Sequence, residues 1–235
     1  MLSAVHVRST SADSSPASFP VRDGVSVSGL LALPSAARAL YVLAHGAGAG
    51  MRHPAMSAVA EGLAARGIAT LRYQFPYMER GSRRPDPPPL CHATVRAAVA
   101  EAARLAPGRP LIAGGRSFGG RMTSQAQALE PLPGVRGLAF LGFPLHPAGQ
   151  PSDMRAQHLA EVRIPMLFLQ GTRDALAERS LLEALVARLG TSATLSLLEE
   201  ADHSFHVRSS SGRTDAQVLA EVLQRLAAWI DTLTV

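Results

Sequence analysis

One short stretch, residues 109–122, constrains the fold more than any other part of the chain. It reads RPLIAGGRSFGGRM, which is an apolar strand, then a serine flanked by glycines, then a helical pattern. Residues 115–119 match G-x-S-x-G, the nucleophile elbow, in which a serine sits at the tip of a sharp strand-to-helix turn. The residues two before and two after that serine crowd each other, so both must be small. The stretch predicts an exposed Ser117 hydroxyl, and a plain glycine-rich turn is the alternative.

Strand and helix patterns alternate along the rest of the chain. This alternation predicts an α/β fold: a doubly wound, mostly parallel sheet with helices on both faces. Apolar runs typical of strands lie at residues 24–33, 39–44, 68–73, 109–115, 135–142, 164–170 and 193–198. Helical patterns cover residues 53–66, 94–105, 118–129, 176–189 and 215–233. Residues 148–163 hold one short helical pattern, so we expect a minimal lid or none.

The domain organisation follows from length and composition. A chain of 235 residues with 47% hydrophobic content suits one domain with a sizeable core. We expect residues 25–235 to form that domain. Residues 1–24 are predicted to contribute an edge strand at 4–8 and a flexible Ser-rich loop. The proline-rich residues 74–89 follow a strand end, and we expect them to form an ordered or extended loop that borders the pocket.

Composition also limits compartment and partners. A single cysteine, Cys91, excludes an intrachain disulfide and favours a reducing, cytoplasmic location. No apolar run is long enough to span a membrane. The net charge is +5 and every cationic side chain besides histidine is arginine. Because these arginines are scattered, with no aromatic ladder beside them, we expect no nucleic-acid partner.

A second glycine-rich segment, HGAGAG at residues 45–50, follows a predicted buried strand. The dinucleotide fingerprint G-x-G-x-x-G fails because Met51 stands where the third glycine belongs. A Walker loop is excluded because the chain has no lysine. The segment instead suits a loop that offers backbone N–H groups to an oxyanion. We assign Phe118 and Ala47 as the donors, with Gly46 or Gly48 in place of Ala47 as alternatives, and a plain tight turn as the other interpretation.

Three residues of matched chemistry follow predicted strands in the order Ser117, Asp174, His203. The carboxyl ends of parallel strands share one edge of the sheet, so the three should converge there. Serine needs a base to become a nucleophile; His203 would take its proton, and Asp174 would orient the imidazole. Asp202, adjacent to His203, is a poor orienter, and His206 is the alternative base.

The remaining residues that could act in catalysis or bind a metal are less strongly indicated by the sequence. Cys91 is in no elbow, so it is not expected to be a nucleophile. The other histidines are scattered, without H-E-x-x-H or C-x-x-C spacing, so we predict neither a metal site nor a cofactor.

These motifs together resemble a branch of the α/β-hydrolase superfamily. They are LAHGAGAG at 43–50, RYQFPY at 72–77, GRSFGGR at 115–121, GFPLHP at 142–147, LQGTRD at 169–174 and ADHSF at 201–205. The branch is the small, lidless, dienelactone-hydrolase-like one, which is similar to an α/β-hydrolase-like subunit of a eukaryotic histone-acetyltransferase complex. The resemblance implies the α/β-hydrolase fold and the triad Ser117, Asp174, His203. Dienelactone hydrolase itself uses cysteine at the elbow, so its substrate does not carry over to a chain with Ser117.

The sequence therefore predicts a serine hydrolase that acts on an ester or lactone through an acyl-enzyme. Acyl transfer and thioester cleavage use the same triad, and a non-catalytic interaction protein is the alternative of a different class. We expect the substrate pocket to be lined by Phe75, Tyr77, Arg116, Phe143 and Leu145. Arg116 beside the nucleophile suggests a site for a substrate carboxylate, and a surface or helix-capping arginine is the other interpretation.

Overall fold

The computed structural model describes residues 14–234, and eight strands of this part form one sheet. The strands are β1 (Ser15–Arg22), β2 (Val25–Ala32), β3 (Ala39–Ala44), β4 (Ile68–Tyr73), β5 (Leu111–Arg116), β6 (Val135–Leu141), β7 (Met166–Gly171) and β8 (Ala193–Leu198). Their order across the sheet is β1-β2-β4-β3-β5-β6-β7-β8. The strands from β3 to β8 pair in parallel, and β1 and β2 are antiparallel. The predicted mostly parallel sheet is confirmed.

Helices cover both faces of the sheet. They are α1 (Pro54–Ala64), α2 (Pro76–Glu79), α3 (Pro88–Leu105), α4 (Phe118–Leu129), α5 (Arg179–Leu189) and α6 (Asp215–Thr232). One apolar core lies under α3, α4 and α5, and includes Val95, Met122 and Leu182. The other lies under α1 and α6, and includes Leu63 and Val222. Because both faces are covered, the central strands are continuous apolar runs without polar alternation.

The N-terminal segment differs from the expectation. Residues 15–18 belong to β1 and not to a flexible loop, and β1 pairs with β2 along its length. Phe19 points inward and is 3% exposed, so the strand is held by burial as well as by hydrogen bonds. The edge strand expected at residues 4–8 lies outside the described residues.

The proline-rich segment also needs a correction. The prediction for residues 74–89 is an ordered or extended loop, but the segment contains α2, and α3 begins at Pro88, not at residue 94. Pro88 and Pro89 occupy the first helical positions, where the missing N–H of proline costs nothing and its fixed φ suits the helix. Between β6 and β7 the structure has one 3-10 helix, Met154–Glu161, at the place where the sequence predicts one short helical pattern.

Within residues 14–234, none of the helices combines the length and the apolar character that crossing a bilayer requires.

Candidate active site

Ser117 lies at the turn between β5 and α4. Its φ of 50° and ψ of −117° are outside the usual regions for a residue with a side chain, so the backbone is strained there. Its N–H donates to the carbonyl of Leu141 on β6 at 3.2 Å, which anchors the turn to the sheet. The turn is the sharp strand-to-helix connection that the G-x-S-x-G pattern predicts.

The two glycines of the motif are required by the neighbouring strand β3. A Cβ on Gly115 would lie 2.8 Å from the Cβ of Ala44, and Gly115 also has a φ of +150°. A Cβ on Gly119 would lie 2.5 Å from the carbonyl oxygen of His45. Real Cβ atoms do not approach this closely, so any side chain here would push the elbow away from β3.

His203 connects Ser117 with Asp174. Its Nε2 is 2.8 Å from the Ser117 Oγ, and its Nδ1 is 2.6 Å from the Asp174 Oδ2. The Asp174 carboxylate can only accept, so Nδ1 carries the proton and Nε2 is free to accept one from the serine. The Asp174 side chain is 0% exposed and that of His203 is 21% exposed. The three side chains form a chain of hydrogen bonds from the interior to the surface.

Two further donors hold the Asp174 carboxylate. The N–H of Leu176 donates to Oδ1 at 2.8 Å, and the Gln170 amide donates to Oδ2. The Oε1 of Gln170 accepts from the N–H of Phe143 at 2.8 Å, so this amide is fixed at both ends. Gln170 was not among the site residues predicted from the sequence. Its signal is a polar residue inside the apolar run of β7, four positions before Asp174.

The alternative residues lie elsewhere. Asp202 Oδ1 accepts from the N–H groups of Ser204 and His206, so it closes a turn and does not contact His203 Nδ1. His206 Nδ1 pairs with Asp215 at 2.9 Å on the surface, and this hydrogen bond raises the pKa of His206. His203, not His206, is the histidine that contacts Ser117.

His45 braces the glycine-rich loop after β3. Its Nε2 accepts from the N–H of Phe75 at 3.1 Å, so Nδ1 carries the proton and donates to the Gly46 carbonyl at 2.8 Å. Burial lowers the pKa of His45 to about 4, which keeps the ring neutral and both hydrogen bonds intact near pH 7. The neutral ring ties the loop to the segment after β4.

The same loop narrows the choice of oxyanion donors. The Gly48 N–H donates to the Tyr77 hydroxyl at 3.4 Å, so this N–H is already hydrogen-bonded and Gly48 is the weaker candidate for an oxyanion donor. Gly46 and Ala47 line the cavity beside Ser117, and among residues 14–234 no acceptor for the Ala47 N–H is found. Phe118 is the first residue of α4, and the first N–H groups of a helix have no intrahelical acceptor. Among the residues that the structure describes, the N–H groups of Ala47 and Phe118 therefore remain available to donate to an oxyanion, as the sequence predicts.

A cavity of about 300 Å³ opens beside Ser117 and His203. Its walls include Arg116, as predicted, together with His53, Met56 and Leu176, which the sequence analysis did not single out. The other four expected lining residues do not reach it, since Phe75, Tyr77, Phe143 and Leu145 are each 0% exposed. Phe75 and Tyr77 pack behind the Phe118 ring, and Phe143 packs against Phe140 and Phe168. Their assignment to the pocket is therefore wrong, because these four side chains turn into the core after the strand ends.

Arg116 is half-buried at the edge of this cavity. Within residues 14–234 its guanidinium makes no ion pair and no hydrogen bond. Burial lowers the pKa of Arg116, and the nearby charge of Asp202 acts in the opposite direction. The cavity thus contains an arginine cation that forms no ion pair with a carboxylate of the described residues.

Cys91 is buried on α3, and its thiol donates to the carbonyl of Asp86 at 3.4 Å. Burial raises the pKa of Cys91 to about 12, so the thiolate that a nucleophile needs does not form near pH 7. Within residues 14–234, no three His, Cys, Asp or Glu side chains are arranged to hold a metal ion.

Comparison with known proteins agrees with this architecture. The alpha/beta hydrolase domain family matches residues 37–231. A dienelactone hydrolase from Anabaena variabilis is similar in structure, with a TM-score of 0.73 and 21% identity over 94% of this chain and 99% of that one. A lidless α/β serine hydrolase from Xanthomonas campestris has a TM-score of 0.69 and 19% identity over 92% and 95%. An esterase domain from Rhodothermus marinus has a TM-score of 0.70 and 17% identity over 95% and 100%.

Proposed function

The chain belongs to the alpha/beta hydrolase domain family, and from that premise we propose that it is a serine hydrolase that cleaves an ester or a lactone. The observation that carries the proposal is the double contact of His203, with Ser117 Oγ at 2.8 Å and Asp174 Oδ2 at 2.6 Å. An ester or lactone is favoured because the similar structures include a dienelactone hydrolase and an esterase domain.

In the acylation step, Ser117 Oγ attacks the carbonyl carbon of the substrate while His203 Nε2 takes the hydroxyl proton. The imidazolium that forms is stabilised by Asp174, which stays ionised and keeps the ring oriented. The Leu176 and Gln170 hydrogen bonds hold that carboxylate, so the ring does not need to reorient during the reaction.

The carbonyl oxygen becomes an oxyanion in the tetrahedral intermediate. We assign the N–H groups of Phe118 and Ala47 to it, with Gly46 as the alternative to Ala47. Phe118 opens α4, so the positive end of the helix dipole adds to its N–H. Donors of this kind contribute about 3 kcal/mol each in comparable sites.

The intermediate then collapses, and His203 gives its proton to the leaving alkoxide oxygen as the C–O bond breaks. Water enters the second half of the reaction. His203 takes a proton from the water as its oxygen attacks the acyl carbon, and returns a proton to Ser117 Oγ as the acid departs. In a lactone the leaving oxygen remains part of the product, so one molecule of hydroxy acid results.

A fluorophosphonate probe tests the proposal directly, since it forms a covalent bond only with an activated serine. We expect labelling of the folded wild type at Ser117, and none in Ser117→Ala or after denaturation. Ser117→Ala should also lower kcat on an aryl acetate by about 10⁶-fold, because the three residues act as a unit. Folded wild-type protein that neither reacts with the probe nor hydrolyses any aryl ester or lactone would contradict the proposal.

A further inference from the structure

A second cavity lies against the first, on the α1 and α6 side of the sheet. It has a volume of about 220 Å³. Its walls are mostly apolar and come from α1, β6, the loop after His203 and α6: Ala55, Met56, Val59, Leu141, Phe205 and Leu219. Apolar space of this kind binds the hydrocarbon part of a ligand, because transfer of apolar surface out of water is favourable.

Three residues line both cavities, namely Met56, Arg116 and Ser204. The two spaces therefore meet at these residues, of which Met56 has a flexible thioether side chain and Arg116 a long aliphatic stem. The Arg116 Cγ would be 4.0 Å from a Cβ on Gly46, so this stem runs beside the loop that borders Ser117. Together the two volumes fall in the range of ligand pockets, roughly 300–1,000 Å³.

The polar groups of the second cavity are at its rim. Asp215 lines it, but its carboxylate is engaged by His206 Nδ1 and by the N–H of Val207. Phe205 has a φ of 61°, a strained value for a residue with a side chain, and its ring forms part of the wall.

We propose that the second cavity is the subsite for an apolar acyl chain of the substrate. When the ester carbonyl lies at Ser117 Oγ, the chain passes Met56 and the Arg116 stem and ends among Val59, Phe205 and Leu219. This inference rests on the proposed serine-hydrolase function and adds the substrate class: esters of medium-length aliphatic acids, in preference to acetates.

Two variants that fill the cavity test the proposal without touching the triad. Leu219→Trp adds volume from α6, and Ala55→Leu adds it from α1. The readout is kcat/KM for p-nitrophenyl acetate, butanoate, hexanoate and octanoate. We expect the wild type to favour hexanoate over acetate, and each variant to lower the hexanoate-to-acetate ratio by about tenfold, since about two methylenes lose their burial.

Ala220→Trp is the matched control, because Ala220 is the exposed neighbour of Leu219 on α6 and does not line the cavity. It should keep the wild-type ratio, and thermal unfolding checks that each variant is folded. An unchanged hexanoate-to-acetate ratio in both filling variants, or a wild type that prefers acetate, overturns the acyl-chain subsite alone. A wild type that hydrolyses no ester and does not react with fluorophosphonate overturns the proposed function and this inference with it.

Discussion

Arg116 stands next to the nucleophile with a guanidinium that no carboxylate of residues 14–234 neutralises. A half-buried cation is costly to desolvate, and the lowered pKa of Arg116 reflects that cost. A bound anionic group would reduce it, since a charge-assisted hydrogen bond in a sheltered site contributes about 1.5–3 kcal/mol. This supports the proposal that Arg116 binds a carboxylate of the substrate.

Replacement of Arg116 by alanine should therefore change selectivity more than rate. For a pair of aryl esters that differ in one carboxylate, we expect Arg116→Ala to lower kcat/KM of the anionic ester by about tenfold and to leave the neutral one nearly unchanged. Arg83→Ala, which removes an exposed arginine remote from the cavity, is the control for net charge. An unchanged preference for the anionic ester in Arg116→Ala would mean that Arg116 does not bind the substrate.

At this scale the sequence predicted the residues whose chemistry is distinctive. Ser117, Asp174 and His203 follow three different strands, and parallel strands bring their carboxyl ends together whatever the details of packing. Gln170 was not predicted because its position inside an apolar strand says nothing about which way its amide points. Phe75 and Phe143 were placed in the pocket wrongly for the same reason: the end of a strand is visible in sequence, but the side of the chain that faces the cavity is not.

The elbow and strand β3 pack as one unit. Gly119 on α4 lies against the His45 carbonyl, where the strand becomes the loop that carries Ala47. A methyl group at position 119 would have to push apart the backbone of the two segments that carry Ser117 and Ala47. Such a displacement would lower the stability of the fold and also move Ser117 relative to the Ala47 N–H.

For Gly119→Ala we therefore expect the free energy of unfolding to fall by about 1–3 kcal/mol, with a large loss of kcat. Gly46→Ala is the matched control for stability, because its Cβ would meet its nearest neighbour at an ordinary 3.7 Å. Urea unfolding of both variants, with turnover of an aryl acetate by Gly119→Ala, gives the comparison. Equal stability of Gly119→Ala and the wild type would show that the contact is not tight.

Secondary structure was predictable where a local pattern determines it. The six parallel strands, β3 to β8, are largely apolar, and the prediction of residues 39–44, 68–73 and 193–198 agrees with the observed bounds. The start of α3 was missed because prolines at 85–89 were taken as the end of regular structure, although they suit the first turn of a helix. β1 was missed because its serines resemble a loop, and only pairing with β2 makes them a strand.

For the whole molecule, two neutral histidines, the buried His45 and the partly buried His158, link folding to pH. Burial lowers the pKa of His45 to about 4, and burial together with the charge of Arg121 lowers that of His158 to about 4 as well. The unfolded chain has ordinary histidines with a pKa of 6.5. Between these values the unfolded state binds more protons, so the free energy of unfolding is highest above about pH 6.5 and falls as the pH drops toward 4.

His158→Gln separates one of these contributions from the rest. His158 Nε2 lies 2.7 Å from Ser124 Oγ, whose own proton goes to the Arg121 carbonyl, so the ring donates and a glutamine amide can replace that donor. Each histidine of this kind steepens the pH dependence of the unfolding free energy by up to about 1.4 kcal/mol per pH unit. We expect the slope of unfolding free energy between about pH 6 and pH 5 to be shallower by about 1 kcal/mol per unit in His158→Gln.

His206 supplies a control of opposite sign. Its hydrogen bond with Asp215 raises its pKa in the folded state, so its contribution is present at low pH and is lost as the pH rises through the raised pKa. His206→Gln should therefore remove a fall in the unfolding free energy as the pH rises above about 6.5 and leave the slope between pH 6 and pH 5 nearly unchanged, whereas His158→Gln makes that acid slope shallower. Urea unfolding at a series of pH values measures both slopes against the wild type. Parallel slopes for His158→Gln and the wild type would show that His158 is protonated in the folded state at those pH values, and that the interior beneath α4 is less dry than its burial indicates.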